Sequence, residues 1–128
     1  MGQPLSDKSE IMKIIEFEKF KYENGTFLAL WSGLKYGDVG QEILVDFAAD
    51  ISVQVTGTFN RASLSIEGSN DGDNWFLLNT YPEKPACFYA AGLRKLNENP
   101  IYIRPVMGMD AGIETKLDVV ISCKCSSP

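Results

Sequence analysis

The sequence contains no histidine among its 128 residues. Histidine is the usual base that activates a serine or cysteine nucleophile, and it is the commonest protein ligand of zinc and copper. Its absence excludes the Ser-His-Asp and Cys-His mechanisms of hydrolysis. We therefore predict no catalytic residue, no metal site and no cofactor, and we expect that the protein is not an enzyme.

Basic residues are fewer than acidic residues in this sequence, and long runs of apolar residues are absent. The chain has 12 lysine and arginine residues against 17 aspartate and glutamate residues, a formal charge of −5. Because nucleic-acid affinity depends largely on clustered lysine and arginine, we expect no nucleic-acid partner. No stretch approaches the roughly 20 apolar residues that span a bilayer, so we expect no membrane partner. The polar start, residues 1–10, leads us to expect synthesis in the cytoplasm.

Cysteine is limited to Cys87, Cys123 and Cys125. An odd number is unlike the disulfide framework of a secreted domain, so we expect reduced thiols. Cys123 and Cys125 lie two residues apart, which on a strand places both on one face. We interpret them as buried and inert. The alternative, a soft-metal or redox site, needs more ligands than Cys87 adds.

Alternating side chains are the main structural signal. Residues 51–59 alternate between apolar and polar, which is typical of a half-buried strand. The apolar positions are Ile51, Val53, Val55 and Phe59. A second alternating run, 63–67, follows the short link Asn60-Arg61. A link of this length predicts a hairpin of two paired antiparallel strands.

Further strands are expected throughout the rest of the chain. They are residues 26–31, 42–46, 75–81, 101–107 and 116–125. Pro105 predicts an edge position or a bulge for the fourth of these, because proline cannot donate to a strand ladder. Short strands separated by turns predict an all-β fold, specifically an antiparallel β-sandwich that is jelly-roll-like.

Two segments do not follow the strand pattern. Residues 90–98 carry helix-forming residues and end at a proline, which predicts a short helical turn. In residues 7–23 helix and strand patterns compete, and charge is more frequent there. We therefore divide the chain into an N-terminal arm or extension, 1–25, and a β-sandwich domain, 26–128.

The run from Glu67 to Trp75 predicts a tight turn between two strands. Asparagine and aspartate cap such turns through their own side chains, and Gly72 permits a positive φ. The alternative is a calcium site built from Asn70, Asp71 and Asp73. An EF-hand loop, however, requires acidic residues at alternate positions and a final bidentate glutamate, and this run leads into a strand instead.

Large aromatic residues allow two interpretations. They fill the cores and interfaces of small sandwiches, which we favour, or they form a platform for a sugar. The residues concerned are Trp31, Tyr36, Trp75, Tyr81, Phe88 and Tyr89. The second interpretation makes a carbohydrate-binding β-sandwich module the main alternative, with a glycan as the partner.

Several stretches, taken in order, resemble a family of small tailed-phage virion proteins over residues 26–122. They are Leu30-Trp31-Ser32-Gly33-Leu34, Ser52-Val53-Gln54-Val55-Thr56-Gly57-Thr58-Phe59, Ile66-Glu67-Gly68-Ser69-Asn70-Asp71-Gly72, Ala90-Ala91-Gly92 and Glu98-Asn99-Pro100-Ile101-Tyr102-Ile103-Arg104-Pro105. The turn Gly-Ser-Asn-Asp-Gly-Xaa-Asn-Trp, residues 68–75, also resembles turns in discoidin-like sugar-binding sandwiches.

The resemblance implies a capsid decoration, or cement, protein. Such a protein is located in the virion, on the outer surface of the phage head, and binds the major capsid protein so as to stabilise contacts between its subunits. It implies a homo-oligomer, trimer or dimer, because symmetric assembly on the capsid multiplies a modest contact. A head-tail or tail accessory protein is a further alternative.

The arm supplies the predicted partner-binding residues. We hypothesise that it becomes ordered on docking, or clasps neighbouring copies, and buries apolar side chains at about 25 cal/mol per Å². The residues are Ile11, Ile14, Ile15, Phe17 and Phe20.

Overall fold

The computed structural model describes residues 13–21 and 25–125. This part of the chain contains fourteen strands and no helix, and hence no helix that could cross a membrane. The strands are β1 (Lys13–Ile15), β2 (Glu18–Lys21), β3 (Thr26–Leu34), β4 (Asp38–Gly40), β5 (Ile43–Leu44), β6 (Ala48–Thr58), β7 (Leu64–Ser69), β8 (Phe76–Leu77), β9 (Asn79–Thr80), β10 (Lys84–Pro85), β11 (Cys87–Phe88), β12 (Gly92–Lys95), β13 (Tyr102–Met107) and β14 (Lys116–Cys125).

Twelve of these strands form two sheets. The first sheet has the order β1-β4-β13-β7-β11, with β5 paired to β13 and β8 paired to β7. The second sheet has the order β12-β6-β14-β3-β2, and β9 and β10 form a separate pair. Every pairing is antiparallel except that of β1 with β4. The chain moves repeatedly from one sheet to the other. The fold is therefore all-β and jelly-roll-like, as predicted.

The inner faces of the two sheets meet in one hydrophobic core. In β6, Ile51, Val53 and Val55 are completely or almost completely buried, whereas Gln54 and Thr56 are exposed. The same alternation runs along β14, where every second residue from Leu117 to Cys123 is buried. Each such burial stabilises the fold by roughly 1.5–3 kcal/mol. The two strands with the clearest sequence pattern are thus confirmed.

The hairpin predicted around Asn60-Arg61 is wrong. β6 belongs to the second sheet and β7 to the first, so the link joins two sheets and the strands do not pair. Asn60 and Arg61 both have positive φ, 42° and 70°, which is unusual for residues with a Cβ. This left-handed pair turns the chain across the core instead of back along β6.

The helical turn predicted near 90–98 is also wrong, because β12 occupies the middle of that segment. Gly92 pairs with Val55 and Lys95 with Ser52 along one edge of β6. A helix of so few residues is only marginally stable by itself. The free edge of β6 offers a ladder of backbone hydrogen bonds, and pairing with it outweighs the weak local preference for helix.

Pro105 lies in an interior strand, so the predicted edge position is wrong. It pairs with Ile66 of β7, but the backbone of Ile66 bonds to Ala86 and Leu78 instead. The nitrogen of Pro105 therefore faces the other neighbour of β13. On that side the pairing is interrupted between β4 and β5, so no ladder hydrogen bond is lost there.

Residues 13–21, the described part of the predicted arm, lie in the two sheets. β1 pairs with β4 in the first sheet, and β2 pairs with β3 in the second. Strand therefore occurs where helix and strand patterns competed. Residues 1–12 and 22–24 lie outside the described residues, and the division of the chain after residue 25 stays a prediction.

Candidate functional site

Four loops lie together at one end of the sandwich, which we call the apolar end. They are residues 35–37, 59–63, 89–91 and 108–115. The strand registers bring them together, because Met107 at the end of β13 pairs with Leu64 at the start of β7, and Phe88 at the end of β11 pairs with Leu64 too. Each of the four loops connects one sheet to the other.

Large apolar side chains are exposed at this end. Ile113 is 99% exposed and Met109 is 74% exposed, and both lie in the loop 108–115. Tyr36 is also exposed and lines a depression of about 460 Å³ together with Ile113. Tyr89 is exposed beside the same loop. Single exposed apolar residues are common, but a group on adjacent loops is typical of an interaction surface.

The pKa of Tyr89 is raised above its usual value by groups around it. A hydrogen bond with the side chain of Cys87 is the largest of the effects that raise the pKa of Tyr89, and the charge of Asp110 raises it further. Asp110 belongs to the loop 108–115. The negative charge of this loop therefore acts on the phenol of Tyr89.

Hydrogen bonds hold the loop 108–115 in a fixed conformation. Asp110 Oδ1 accepts from the Ser63 amide at 3.2 Å and from the Ser63 hydroxyl at 3.1 Å. The Thr115 hydroxyl donates to the Phe59 carbonyl at 2.7 Å. The Asn60 side chain accepts from the Glu114 amide at 3.2 Å. The exposed apolar side chains are thus presented by a rigid loop.

Two glycines allow this close contact between the loops 59–63 and 108–115. The Gly112 amide donates to the Asn60 carbonyl at 3.0 Å, and the Gly108 amide donates to the Ser63 carbonyl at 2.8 Å. A Cβ at Gly112 would overlap Asn60 Oδ1, and a Cβ at Gly108 would overlap the Ser63 hydroxyl. A Cβ at Gly112 would also come within 2.8 Å of the Asn60 carbonyl oxygen, so the two loops would have to shift there.

Formal charges cancel at the apolar end. Its four loops contain Lys35 and Arg61 against Asp110 and Glu114. The centres of protein interfaces are depleted of charge and enriched in aromatic residues and methionine. The apolar end shares with such centres its exposed tyrosines and methionine, whereas its fraction of charged residues is close to that of the whole chain.

The opposite end of the sandwich, which we call the acidic end, is different. It comprises residues 41–42, 45–47, 70–75 and 96–101, which meet where Tyr102 at the start of β13 pairs with Leu44 and Ser69. Its acidic residues are Glu42, Asp46, Asp71, Asp73 and Glu98, and these four segments contain no lysine or arginine. Lys95, in the neighbouring part of the second sheet, forms an ion pair with Asp50 at 3.1 Å.

The turn predicted between Glu67 and Trp75 is confirmed as the connection of β7 to β8, which are antiparallel. Asp71 caps it: one carboxylate oxygen accepts from the Asp73 amide at 2.8 Å and from the Asn74 amide at 2.9 Å. These hydrogen bonds, that of Asn74 first, hold the pKa of Asp71 well below its usual range. Asp71 thus acts within the turn, as the structural interpretation predicted.

The six aromatic residues considered as a sugar platform are dispersed. Trp31 and Phe88 are completely buried in the core. Trp75 lies under the guanidinium of Arg104, 4.0 Å from the ring centroid. Tyr36 and Tyr89 belong to the apolar end. Tyr81 is exposed.

The predicted partner-binding residues of the arm fall into two groups. Ile15 and Phe17 pack against the core, and the rings of Phe17 and Trp31 are 5.4 Å apart. Ile14 and Phe20 are exposed. Ile11 lies outside the described residues.

The cysteine prediction holds for one residue of the pair. Cys123 is buried, and burial, with a smaller contribution from Cys125, raises its pKa to about 12. Cys125 is exposed, because the register of β14 shifts between Lys124 and Cys125. The alternation that places both thiols on one face is interrupted at that irregularity.

Met109 and Ile113 were missed by the sequence interpretation. The available signal was two apolar residues that each directly follow a glycine, Gly108 and Gly112, in a stretch that shows no strand alternation. Such a pattern indicates an apolar loop, but not whether its side chains face the core or the solvent.

No protein-family model and no curated protein sequence matches this chain. The solved structure of the SPBc2 prophage-derived protein YomS has a similar fold, with a TM-score of 0.60 and 7% sequence identity, over 81% of this chain and 98% of that one. At this identity the likeness concerns the fold alone.

Two other solved structures are less similar. Protein NMB1881 from Neisseria meningitidis has a TM-score of 0.44 and 8% identity, over 94% of this chain and 95% of that one. A cupin domain from Bordetella pertussis has a TM-score of 0.46 and 11% identity, over 91% of this chain and 99% of that one. These scores are too low to support an inference.

Proposed function

We propose that this protein is a structural virion protein of a tailed phage, and that it docks through its apolar end on the outer surface of the capsid. There it stabilises contacts between major capsid subunits, as a decoration protein does. The observation that carries the proposal is the hydrogen-bonded loop 108–115, which presents Met109 and Ile113 to solvent at an end whose four loops together have no net formal charge.

Rigidity favours binding because less conformational entropy is lost when a loop is already ordered. The hydrogen bonds from the loop 59–63 provide that order before any partner arrives. Burial of Ile113 and Met109 in a partner then contributes the hydrophobic free energy of two large side chains. A few such anchors commonly supply most of the affinity of an interface.

Two other observations support a role in a phage particle. The fold is similar to that of a prophage-derived protein, and the sequence resembles small tailed-phage virion proteins. Adhesion requires no catalytic group, so the proposed role is not enzymatic. We propose further that the protein binds as a trimer or dimer, since symmetry multiplies a weak contact.

Only some of the apolar residues in the N-terminal segment are free to contact a partner. Ile15 and Phe17 already pack against the protein's own core, so the exposed residues Ile14 and Phe20 are the described candidates for a second contact. Truncation would remove β1 and β2 from the sheets. Replacing Ile14 and Phe20 by serine tests the contact without that damage.

Co-sedimentation with phage heads that lack the protein tests docking. We expect Ile113→Asp to weaken binding by at least about tenfold, because a charge replaces a buried anchor. Leu93→Asp is the matched control, since Leu93 is similarly exposed but lies on the outer face of the second sheet. Equal binding by both variants and the unchanged protein would contradict docking through the apolar end.

A glycan array separates this proposal from the sugar-binding alternative. We expect co-sedimentation with heads and no glycan binding. Glycan binding without co-sedimentation would favour a carbohydrate-binding module instead. Binding to tails but not to heads would favour an accessory protein of the tail.

A further inference from the structure

A groove of about 430 Å³ opens at the acidic end. Phe76, which is 69% exposed, forms one wall, and the buried residues Leu78 and Pro100 lie at its base. The base is closely packed, because a Cβ at Gly68 would come within 3 Å of both. The groove therefore offers an exposed aromatic ring beside an apolar floor.

Two carboxylates, those of Asp71 and Glu98, line the same groove. The Asn79 amide and side chain donate to Glu98 at 2.9 Å and 2.8 Å. Asp71 likewise accepts hydrogen bonds only from uncharged groups of the turn. These bonds fix the positions of both carboxylates, and neither carboxylate forms an ion pair with a lysine or arginine of the described residues. No lysine or arginine is among the described residues that line the groove.

Elsewhere in this protein a cation already lies between an aromatic ring and a carboxylate. The guanidinium of Arg104 lies 4.0 Å from the centroid of Trp75 and donates to Glu67 at 2.9 Å and 3.1 Å. Trp75 is the residue next to Phe76. An aromatic face and a carboxylate together attract a guanidinium through the ring quadrupole and charge-assisted hydrogen bonds.

Other rings on the molecule are also covered by cations of the chain itself. Lys19 lies 4.6 Å from the centroid of Phe27, and Arg94 lies 4.8 Å from that of Phe88. Phe76 combines an exposed ring with fixed carboxylates and has no such cation in its groove. The groove thus has two of the three groups seen at Trp75, Glu67 and Arg104.

We infer that the groove binds an arginine side chain of a partner polypeptide, with the guanidinium against Phe76 and the carboxylates, and the aliphatic stem against Leu78 and Pro100. Arginine fits better than lysine because its planar head stacks on a ring and donates several hydrogen bonds at once. Anionic ligands are repelled, and a neutral sugar leaves both charges unpaired. This contact is separate from docking through the apolar end.

Titration of the full chain with short capped peptides tests the inference. We expect Gly-Arg-Gly to shift the backbone amide resonances of residues 70–76 and 98–101, and not those of residues 108–115. The peptide with citrulline, a neutral isostere of arginine, should bind at least about fivefold more weakly. Raising sodium chloride from 50 to 500 mM should weaken binding of the arginine peptide, since salt screens the charges.

Two variants of β8 provide the matched comparison. Phe76→Ala removes the ring and should weaken binding of the arginine peptide by at least about fivefold. Leu77→Ala removes the neighbouring exposed side chain and should change it by less than about twofold. Well-dispersed amide spectra establish that both variants are folded.

Several results would overturn the inference. They are no shifts with the arginine peptide, equal affinity for the citrulline peptide, and an unchanged affinity of Phe76→Ala. Tighter binding of spermidine than of the peptide would overturn the assignment to a polypeptide. Shifts at residues 70–76 with neutral oligosaccharides alone would replace it by a sugar site. Because these variants lie at the acidic end, their failure leaves co-sedimentation through the apolar end unaffected.

Discussion

The two ends of the sandwich are built from the same kinds of segment and both expose apolar side chains, among them Phe47 and Phe76 at the acidic end, but they differ in formal charge. The loops of the apolar end have a net formal charge of zero and expose Met109 and Ile113. The segments of the acidic end contain five carboxylates and no lysine or arginine. One end is therefore suited to lose water against another protein, and the other to remain hydrated or to attract cations.

The largest expected effect is that of Gly112→Ala. The added Cβ would overlap Asn60 and separate the loops 59–63 and 108–115, which should cost about 1–3 kcal/mol of unfolding free energy and most of the capsid binding. Urea unfolding and co-sedimentation measure the two. Gly92→Ala is the control, because its Cβ meets nothing closer than 3.8 Å. A similar loss for both glycines would mean that loop rigidity is not the cause.

A pair of aspartate substitutions compares the two ends directly. Met109→Asp should reduce head binding by about tenfold, because it places a charge in the proposed interface. Leu44→Asp, at an exposed position near the acidic end, should reduce it by less than about twofold. Co-sedimentation isotherms provide both values. The reverse order would show that the acidic end faces the capsid.

The lowered pKa of Asp71, at the acidic end, predicts that the stability of the fold depends on pH. Its pKa is lower in the folded protein than the usual 3.8, so ionised Asp71 stabilises the fold above about pH 4 and this contribution is lost as the pH falls further. Asp71→Asn should therefore lower the Tm at pH 7, with a difference that shrinks below pH 4. Asp73→Asn removes the same charge from the same turn and is the control. A difference that does not vary with pH would argue against this origin.

The effect of salt on head binding through the apolar end should be the smallest of these effects. Because the loops of the apolar end carry no net charge, head binding should change by less than about threefold between 50 and 500 mM sodium chloride. Sedimentation at several salt concentrations measures this. A steep loss of binding with salt would mean that charges outside the apolar end contribute to docking.

The strands were predictable where burial of one face imposes an alternating pattern. β6 and β14 alternate because one face of each packs into the core, and this signal is local in the sequence. The turn at Asp71 was predictable because its hydrogen bonds join residues two and three apart. Local chemistry determines both features.

The candidate site was not predictable from the sequence, because contacts between distant residues create it. Ser63 and Asp110 are 47 residues apart, and their hydrogen bonds join the loop 59–63 to the loop that exposes Met109 and Ile113. The error at Asn60-Arg61 has a similar origin, since the length of a link does not reveal which sheet the next strand joins. The exposure of Phe76 also depends on segments distant in sequence, which surround the groove.

All four loops of the apolar end connect one sheet to the other, and this has a mechanical consequence. A partner that binds these loops contacts segments that lead into both sheets. Its binding would therefore oppose separation of the two sheets. By mass action, binding to the folded form alone also raises its apparent stability in proportion to the logarithm of partner concentration. Reinforcement would then be mutual: the shell is braced by the attached protein, and the protein withstands heat and force better on the shell than free in solution.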